Sequence, residues 1–98
     1  MHVRVVTGQL SRDRVDEAIA RWRATVVPSA QRQRGFRSAR LCIDRTTGNV
    51  LSMGVWESQT DFEASVLWNQ GQVASFADLF SAPPSVTHYE LAAEAESD

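Results

Sequence analysis

The apolar residues of this chain alternate between strand-like and helix-like spacing, and this alternation constrains the fold more than any other feature. Apolar residues at every second position are typical of a strand, whereas apolar residues three and four positions apart are typical of a helix. Along the chain, the spacing predicts the element order β-α-β-β-α-β. Right-handed connections would place both helices on one face of the sheet. The predicted fold class is α+β, a ferredoxin-like arrangement with a four-stranded antiparallel sheet.

Four strands are predicted, at residues 2–10, 36–44, 50–57 and 86–92. Gly48 and Asn49 lie between the second and third strands and are typical of a tight turn, so these two strands are expected to form a hairpin. We predict a single domain over residues 1–92. Residues 93–98 are small or acidic and are predicted to form a flexible tail.

The first helix is predicted to begin after Ser11, whose hydroxyl can cap it. Its apolar stripe is formed by Val15, Ala18, Ile19, Trp22 and Val26. Pro28 either ends the helix or kinks it. If Pro28 only kinks it, the helix reaches Gln33 and Gly35 closes it.

The second helix is predicted to begin at residues 58–61, which have the spacing of a capping box. Gly71 is expected to interrupt it. The candidate core residues before the interruption are Phe62, Val66, Leu67 and Trp68, and those after it are Val73, Phe76, Ala77 and Phe80.

The composition argues against several classes of function. Nucleic-acid-binding proteins normally carry an excess of basic residues, so the net charge of −2 argues against a nucleic-acid partner. All ten basic residues are arginine, which rules out a Schiff-base or phosphate-loop lysine. Cys42 is the only cysteine, the two histidines are far apart and the glycines are isolated. We therefore predict no internal disulfide, no metal and no other cofactor.

The chain has no apolar stretch near the roughly 20 residues that a membrane span needs. Its first residues also lack the features of a signal peptide. We expect a cytoplasmic location and no membrane partner.

The third strand is apolar on both faces, which predicts a homodimer. One face carries Val50, Ser52, Gly54 and Trp56, and the other carries Leu51, Met53, Val55 and Glu57. Two helices cover only one face of the sheet. An uncovered apolar face can be buried against the same face of a second copy.

Several segments, in this order, resemble the antibiotic biosynthesis monooxygenase-like family of dimeric α+β barrels. They are residues 26–28 with 34–36, residues 55–58, Phe62, and residues 82–86 with 89–90. The resemblance spans most of the chain and implies the dimeric barrel. Some members oxidise polycyclic aromatic substrates with molecular oxygen and without metal or flavin, and others bind and degrade haem. The fold hosts many functions, so the activity does not follow from it.

The resemblance also implies site residues. In both active branches, a tryptophan at the position of Trp56 lines a cavity between the sheet and the helices. The haem-degrading branch uses an asparagine on the first strand, where this chain is matched at Thr7, and a histidine on the second helix. No histidine lies between His2 and His88. That difference argues against a haem-degrading activity.

Trp56 is the predicted catalytic residue. Ser52 and Gly54 share its strand face and are small, which leaves room for a ligand beside the indole. The alternative is that Trp56 only anchors the core. The predicted substrate-binding residues are Thr7, Trp22, Ser52, Trp68, Phe76 and Tyr89.

Each of these residues has a structural alternative. Trp22, Trp68 and Phe76 could cover the pocket from the helices, but aromatic residues at helical spacing more often belong to the core. Thr7 could donate a hydrogen bond to a substrate oxygen, or it could be an ordinary strand residue.

His88 and Tyr89 are neighbours on a strand, so only one of them can face the pocket. Tyr89 could contact a phenol, and His88 could act as a base near neutral pH. Both could equally be structural. Arg40 faces the pocket only under one of the two possible hairpin registers.

Three functions are compatible with these features. The first is a cofactor-independent monooxygenase acting on a small aromatic or polyketide-like molecule. The second is a dimeric small-molecule-binding or accessory protein without chemistry, and the third is a haem binder. A base near Trp56 would favour the first, and a pocket filled by side chains would favour the second.

Overall fold

The computed structural model describes residues 1–97 and contains one antiparallel sheet. Its strands are β1 (His2–Gln9), β2 (Phe36–Ile43), β3 (Asn49–Trp56) and β4 (Ser85–Glu90), in the spatial order β2-β3-β1-β4. Helical segments lie between β1 and β2 and between β3 and β4. The predicted α+β, ferredoxin-like fold is therefore confirmed. Gly48, with φ +83°, supplies the left-handed turn between β2 and β3.

The helical region between β1 and β2 continues past Pro28. A 3₁₀ turn (Arg12–Arg14) leads into α1 (Val15–Arg21), a π-helical segment (Trp22–Val26) and α2 (Val27–Gln31). The Val27 amide donates to the Trp22 carbonyl, five residues back, which widens the helix just before the proline. Wide turns of this kind accommodate a proline without ending the helix. Of the two alternatives, the continuing helix is observed, and it ends at Gln31.

The second helical region breaks at Ser65, so the predicted interruption at Gly71 is wrong. It consists of α3 (Gln59–Ala64) and α4 (Val66–Ala74), and α4 runs through Gly71. The predicted cap is present, because Ser58 accepts a hydrogen bond from the Asp61 amide at 3.1 Å. At the break, the Ser65 hydroxyl donates to the Phe62 carbonyl at 2.7 Å. A serine that bonds the backbone in this way competes with the helix.

One face of the second helical region is turned towards the core, and its buried or half-buried residues include Phe62, Val66, Asn69 and Val73. Leu67, a predicted core residue, is 79% exposed because it lies outside this face. No residue of α4 is fully buried. The core beneath the helices is instead formed by Leu10, Val15, Ala18, Phe76 and Leu79.

The sheet register divides the strand residues between two faces. Arg4 lies opposite Gly54, and Val6 lies opposite Ser52, on the face that the helices cover. We call the other face the open face. Its residues include Val5, Thr7, Arg40, Leu51, Met53 and Tyr89. The predicted division of β3 into two sets is confirmed by this register.

Beyond β4, residues 91–97 contain no helix or strand. Residue 98, the last of the predicted tail, lies outside the described residues, and the mobility of the tail stays a prediction. Within residues 1–97, no helix is both long enough and apolar enough to cross a membrane.

An arginine–aspartate cluster ties the segment after α4 to the first helical region. Asp78 accepts hydrogen bonds from Arg21 at 2.8 Å and from Arg14 at 3.1 Å. The hydrogen bond from Arg21, together with the nearby positive charges, lowers the pKa of Asp78 from 3.8 to about 2.

We expect Asp78→Asn to lower the melting temperature at pH 7. Because the folded-state pKa is depressed, the contribution of Asp78 is present above about pH 4 and is lost as the pH falls towards 2. Melting curves between pH 2 and 7 should therefore converge at the acid end for wild type and variant. Glu94→Gln, in the segment after β4, is the control for removing one negative charge. A difference that does not change with pH would contradict this role for Asp78.

Candidate functional site

An apolar cavity of about 70 Å³ lies between the sheet and the helices, and we call it the inner cavity. Its walls include Val6, Leu10, Trp22, Val50, Ser52, Trp68, Asn69, Gln72 and Phe76. A smaller space of about 40 Å³, the Trp56 cavity, adjoins it and shares Val6, Trp22, Ser52 and Trp68 with it. The walls of the Trp56 cavity also include Arg4, Ala39, Gly54 and Trp56. Three predicted site residues, Trp22, Ser52 and Trp68, therefore line the same cavity as Trp56, and Phe76 lines the adjoining inner cavity.

Trp56 is 1% exposed and is held by aromatic neighbours. Its ring meets Phe36 edge-on at a centroid distance of 5.5 Å and Trp68 at 5.8 Å. Its buried Nε1–H group has no hydrogen-bond partner among residues 1–97. A buried donor without a partner typically costs about 1–3 kcal/mol. Such a donor is suited to an oxygen atom of a bound ligand.

Gly54 keeps the space around this donor open. A Cβ atom at Gly54 would lie 3.5 Å from Nε1 of Trp56, in ordinary van der Waals contact. The glycine therefore leaves a gap directly beside the indole N–H. That a ligand occupies the room beside Trp56 stays a prediction.

The other two indoles have partners. Nε1 of Trp22 donates to the Ser52 hydroxyl at 3.4 Å, and Nε1 of Trp68 donates to the Ser29 hydroxyl at 2.5 Å. Within residues 1–97, Trp56 is thus the tryptophan whose N–H is left for a ligand.

Gln72 supplies a second unpartnered polar atom, which the sequence did not indicate. Its side-chain oxygen is buried without a partner among residues 1–97, and the residue lines the inner cavity. A donor at Trp56 and an acceptor at Gln72 would suit a flat apolar ligand that has a carbonyl or oxyanion at one end and a hydroxyl at the other.

Arg4 is the most important residue that the sequence analysis missed. Its side chain is only 4% exposed, and its guanidinium carbon lies 4.4 Å from the Phe62 ring centroid and 5.8 Å from that of Trp56. Within residues 1–97, it is the one ionisable residue on the walls of the two cavities. The available signal was a charged residue among valines, on the same strand face as Val6.

Two predicted substrate-binding residues lie elsewhere. Thr7 pairs with Leu51 and Tyr89 pairs with Val3, which places both side chains on the open face, away from the cavities. The two-residue period of a strand divides its side chains into two faces. Which of the two faces is covered depends on where the helices pack. Arg40 pairs with Met53 and is also on the open face.

Of the two neighbours on β4, His88 is the one on the covered face. It lies opposite Arg4, stacks on Phe62 at a centroid distance of 3.8 Å and is hydrogen-bonded to His2 at 3.0 Å. His88 lines a surface groove beside α4 rather than the inner cavity. A base is therefore not present on the walls of either cavity within residues 1–97.

A family model for antibiotic biosynthesis monooxygenases matches residues 1–67, more than half of the chain. The chain belongs to the antibiotic biosynthesis monooxygenase family. Its curated relatives include the Mycobacterium tuberculosis proteins Rv2557 and MT2634, which are 29% identical over 97 residues. The match covers 95% of this chain but 42% of those proteins, so this family member spans less than half of their length.

Solved structures share the fold of this family member. The monooxygenase from the gene ActVA-Orf6 of Streptomyces coelicolor, in complex with nanaomycin D, superposes with a TM-score of 0.81 and 16% identity, over 99% of this chain and 92% of that one. A point mutant of MhuD, with two manganese protoporphyrin IX molecules bound per active site, gives a TM-score of 0.74 and 16% identity over 99% and 100% of the chains. At this identity the likeness establishes the fold.

Proposed function

We propose that this protein is a cofactor-independent monooxygenase that acts on a small aromatic or polyketide-like molecule. The observation that carries the proposal is the unpartnered N–H of Trp56 beside the gap at Gly54, in a cavity lined mostly by apolar and aromatic residues. The monooxygenase with bound nanaomycin D has the same fold, which supports a flat aromatic ligand here.

The proposed chemistry needs no group beyond substrate and oxygen. An aromatic enol, once it has lost its hydroxyl proton to solvent, is an enolate that can pass one electron to molecular oxygen. The resulting radical and superoxide combine through a new carbon–oxygen bond and give a peroxide. Loss of the remaining C–H proton with cleavage of the O–O bond leaves a ketone, and the departing oxygen becomes water. All four electrons come from the substrate carbon.

The role of Trp56 in this sequence is to stabilise the enolate oxygen. A donor fixed in a dry site stabilises a developing oxyanion better than water does, because it needs no reorganisation when the charge forms. The surrounding apolar walls keep the radical pair away from solvent. Since the walls of the cavities within residues 1–97 carry no base, the substrates that fit are those acidic enough to ionise unaided.

The cavity must widen to hold such a substrate. Ligand sites typically measure about 300–1,000 Å³, and the inner cavity measures about 70 Å³. Helix α4 covers this cavity with Trp68, Asn69, Gln72 and Val73, and none of its residues is fully buried. We propose that α4 moves away from the sheet when the ligand enters.

The test is aerobic turnover of anthrone, a tricyclic ketone whose CH₂ group enolises and can become a second ketone. We expect oxygen consumption and anthraquinone formation in equal amounts, above the rate without protein. Turnover no faster than the background would support the alternative, a binding or accessory protein with the same cavity. The absence of a wall base within residues 1–97 is the observation that favours this alternative.

A cytoplasmic location stays a prediction.

We propose that the protein is a homodimer formed through the open face. Light scattering at micromolar concentration should give twice the chain mass of 10.9 kDa. A specific interface would bury about 800 Å² or more per partner. Met53→Arg should yield a monomer, because it puts a charge into that interface. Leu67→Arg, at an exposed leucine on α4, should remain dimeric. A wild-type monomer would contradict the proposal.

We expect no tight haem binding through an imidazole ligand. His2 on β1 and His88 on β4 are hydrogen-bonded to each other, and the helices contain no histidine within residues 1–97. Titration with haemin should leave the Soret band without a sharp stoichiometric shift. A sharp shift that His2→Ala or His88→Ala removes would show that this expectation is wrong and would favour a haem protein.

A further inference from the structure

Arg4 is a buried positive charge without a negative partner among residues 1–97. Its nearest polar contacts are neutral: Nη2 donates to the Ser65 hydroxyl at 3.0 Å and to the Phe62 carbonyl at 3.3 Å. No carboxylate of residues 1–97 forms an ion pair with Arg4, whereas the exposed arginines Arg37 and Arg45 each pair with one. Nε and Nη1 donate to no protein atom of residues 1–97.

This burial is costly. A charge removed from water needs a partner or several hydrogen bonds to offset the lost hydration. Burial lowers the pKa of the Arg4 guanidinium, but an arginine remains charged at neutral pH. Contact with the rings of Phe62 and Trp56 compensates part of the cost. Nε and Nη1 of Arg4 are not among the fully buried unpartnered atoms of residues 1–97, so they stay accessible to solvent or to a ligand.

The location of Arg4 gives those donors access to a ligand. Arg4 lines the Trp56 cavity and also an open groove of about 410 Å³ between α4 and β4. Asn69 lines the groove and both cavities, so the two residues mark the boundary between the surface and the interior. No acidic residue lines the groove or the Trp56 cavity within residues 1–97, so no side chain there repels an anion.

We infer that Arg4 is an anion-binding residue and that the ligand is an aromatic acid, which enters along the groove and places its carboxylate on the free N–H groups of Arg4. The aromatic part then extends towards Trp56 and the inner cavity. The inference rests on the proposed function only in placing the aromatic ring in that cavity, since binding needs no turnover.

A purely structural role of Arg4 predicts a different result from an anion-binding role. If Arg4 only stabilises the break between α3 and α4 through Phe62 and Ser65, its removal would weaken the binding of all ligands alike. An anion-binding role instead affects charged ligands selectively. The probes are therefore 1-naphthoate and its neutral isostere 1-naphthamide, with affinities measured by calorimetry without any oxidation assay.

We expect wild type to bind 1-naphthoate about tenfold or more tightly than 1-naphthamide, because a hydrogen bond to a charged group is worth more than a neutral one. In Arg4→Gln this preference should disappear while the affinity for 1-naphthamide changes by less than about threefold. Arg23→Gln, at an exposed arginine that lines none of these spaces, should keep the preference. Equal affinities in wild type, no binding of naphthoate, or a preference that survives in Arg4→Gln would overturn the inference.

A second measurement covers the case in which Arg4→Gln does not fold. In wild type labelled with ¹⁵N, the Arg4 Nε–H signal should shift on titration with 1-naphthoate and stay unchanged with 1-naphthamide. No shift with naphthoate overturns the inference. A naphthoate preference without anthrone turnover would leave the anion site standing and remove the monooxygenase proposal. Turnover without the preference would do the reverse.

Discussion

Trp56→Phe is expected to reduce anthrone oxidation by about 100-fold or more while the domain stays folded. Removing one hydrogen-bond donor from an oxyanion site typically costs that much in kcat. The variant keeps an aromatic ring between Phe36 and Trp68 and deletes a buried donor that has no partner in the described residues, so its fold should persist. The expected loss of stability is about 1–3 kcal/mol at most.

Trp68→Phe is the matched control for this substitution. It removes an indole from the same site, but one whose N–H is already bonded to Ser29. Trp68→Phe should therefore slow turnover at least tenfold less than Trp56→Phe does, because the Trp68 N–H does not reach the oxyanion. If Trp56→Phe unfolds, or if it oxidises anthrone as fast as wild type, Trp56 is a core residue and the oxyanion role is wrong.

Gly54→Ala should weaken the binding of aromatic ligands by about tenfold or more without disturbing the fold. The added methyl would lie 3.5 Å from Nε1 of Trp56, which is an ordinary contact, and Gly54 has no left-handed φ that alanine would strain. The methyl would fill the gap beside the N–H that a ligand oxygen is proposed to occupy. Inserting a methyl group into an occupied space typically costs about 1–3 kcal/mol. Here the cost would fall on the free energy of ligand binding, because the space is occupied only in the complex.

Gly71→Ala provides the comparison. A Cβ atom there has no neighbour within 4 Å, and the residue lies inside α4. This variant should bind ligands like wild type and gain up to about 1 kcal/mol of stability from the better helix former. Calorimetry with 1-naphthamide and thermal melts of both variants would check the pair. Equal binding by wild type and Gly54→Ala would show that the ligand does not occupy the Trp56 cavity.

The order of the helices and strands and the two faces of β3 could be predicted from the sequence, because both depend on local periodicity. The alternation of Val50, Ser52, Gly54 and Trp56 identifies one strand face whatever surrounds it. The same alternation on β1 does not show which face the helices cover, so it does not distinguish Thr7, on the open face, from Arg4, on the covered face. That choice is made by tertiary packing, which a strand pattern alone does not contain.

The second helical region shows a similar limit. Gly71 is a poor helix former, but its solvent-exposed position tolerates the small cost, so α4 continues through it. The break occurs at Ser65, which is buried. Its hydroxyl accepts a tertiary hydrogen bond from Arg4 and donates a local one to the Phe62 carbonyl. Neither contact is visible in the spacing of residues.

The central claim is that the site transfers oxygen from O₂ to a bound aromatic carbon without a cofactor. Anthrone turnover under ¹⁸O₂, with metal-free and flavin-free protein, tests it directly by mass spectrometry of the anthraquinone. The account predicts one ¹⁸O atom per product molecule, formed faster than the protein-free background and about 100-fold more slowly with Trp56→Phe. Unlabelled product, or labelled product formed at the same rate by wild type, Trp56→Phe and buffer alone, would contradict it.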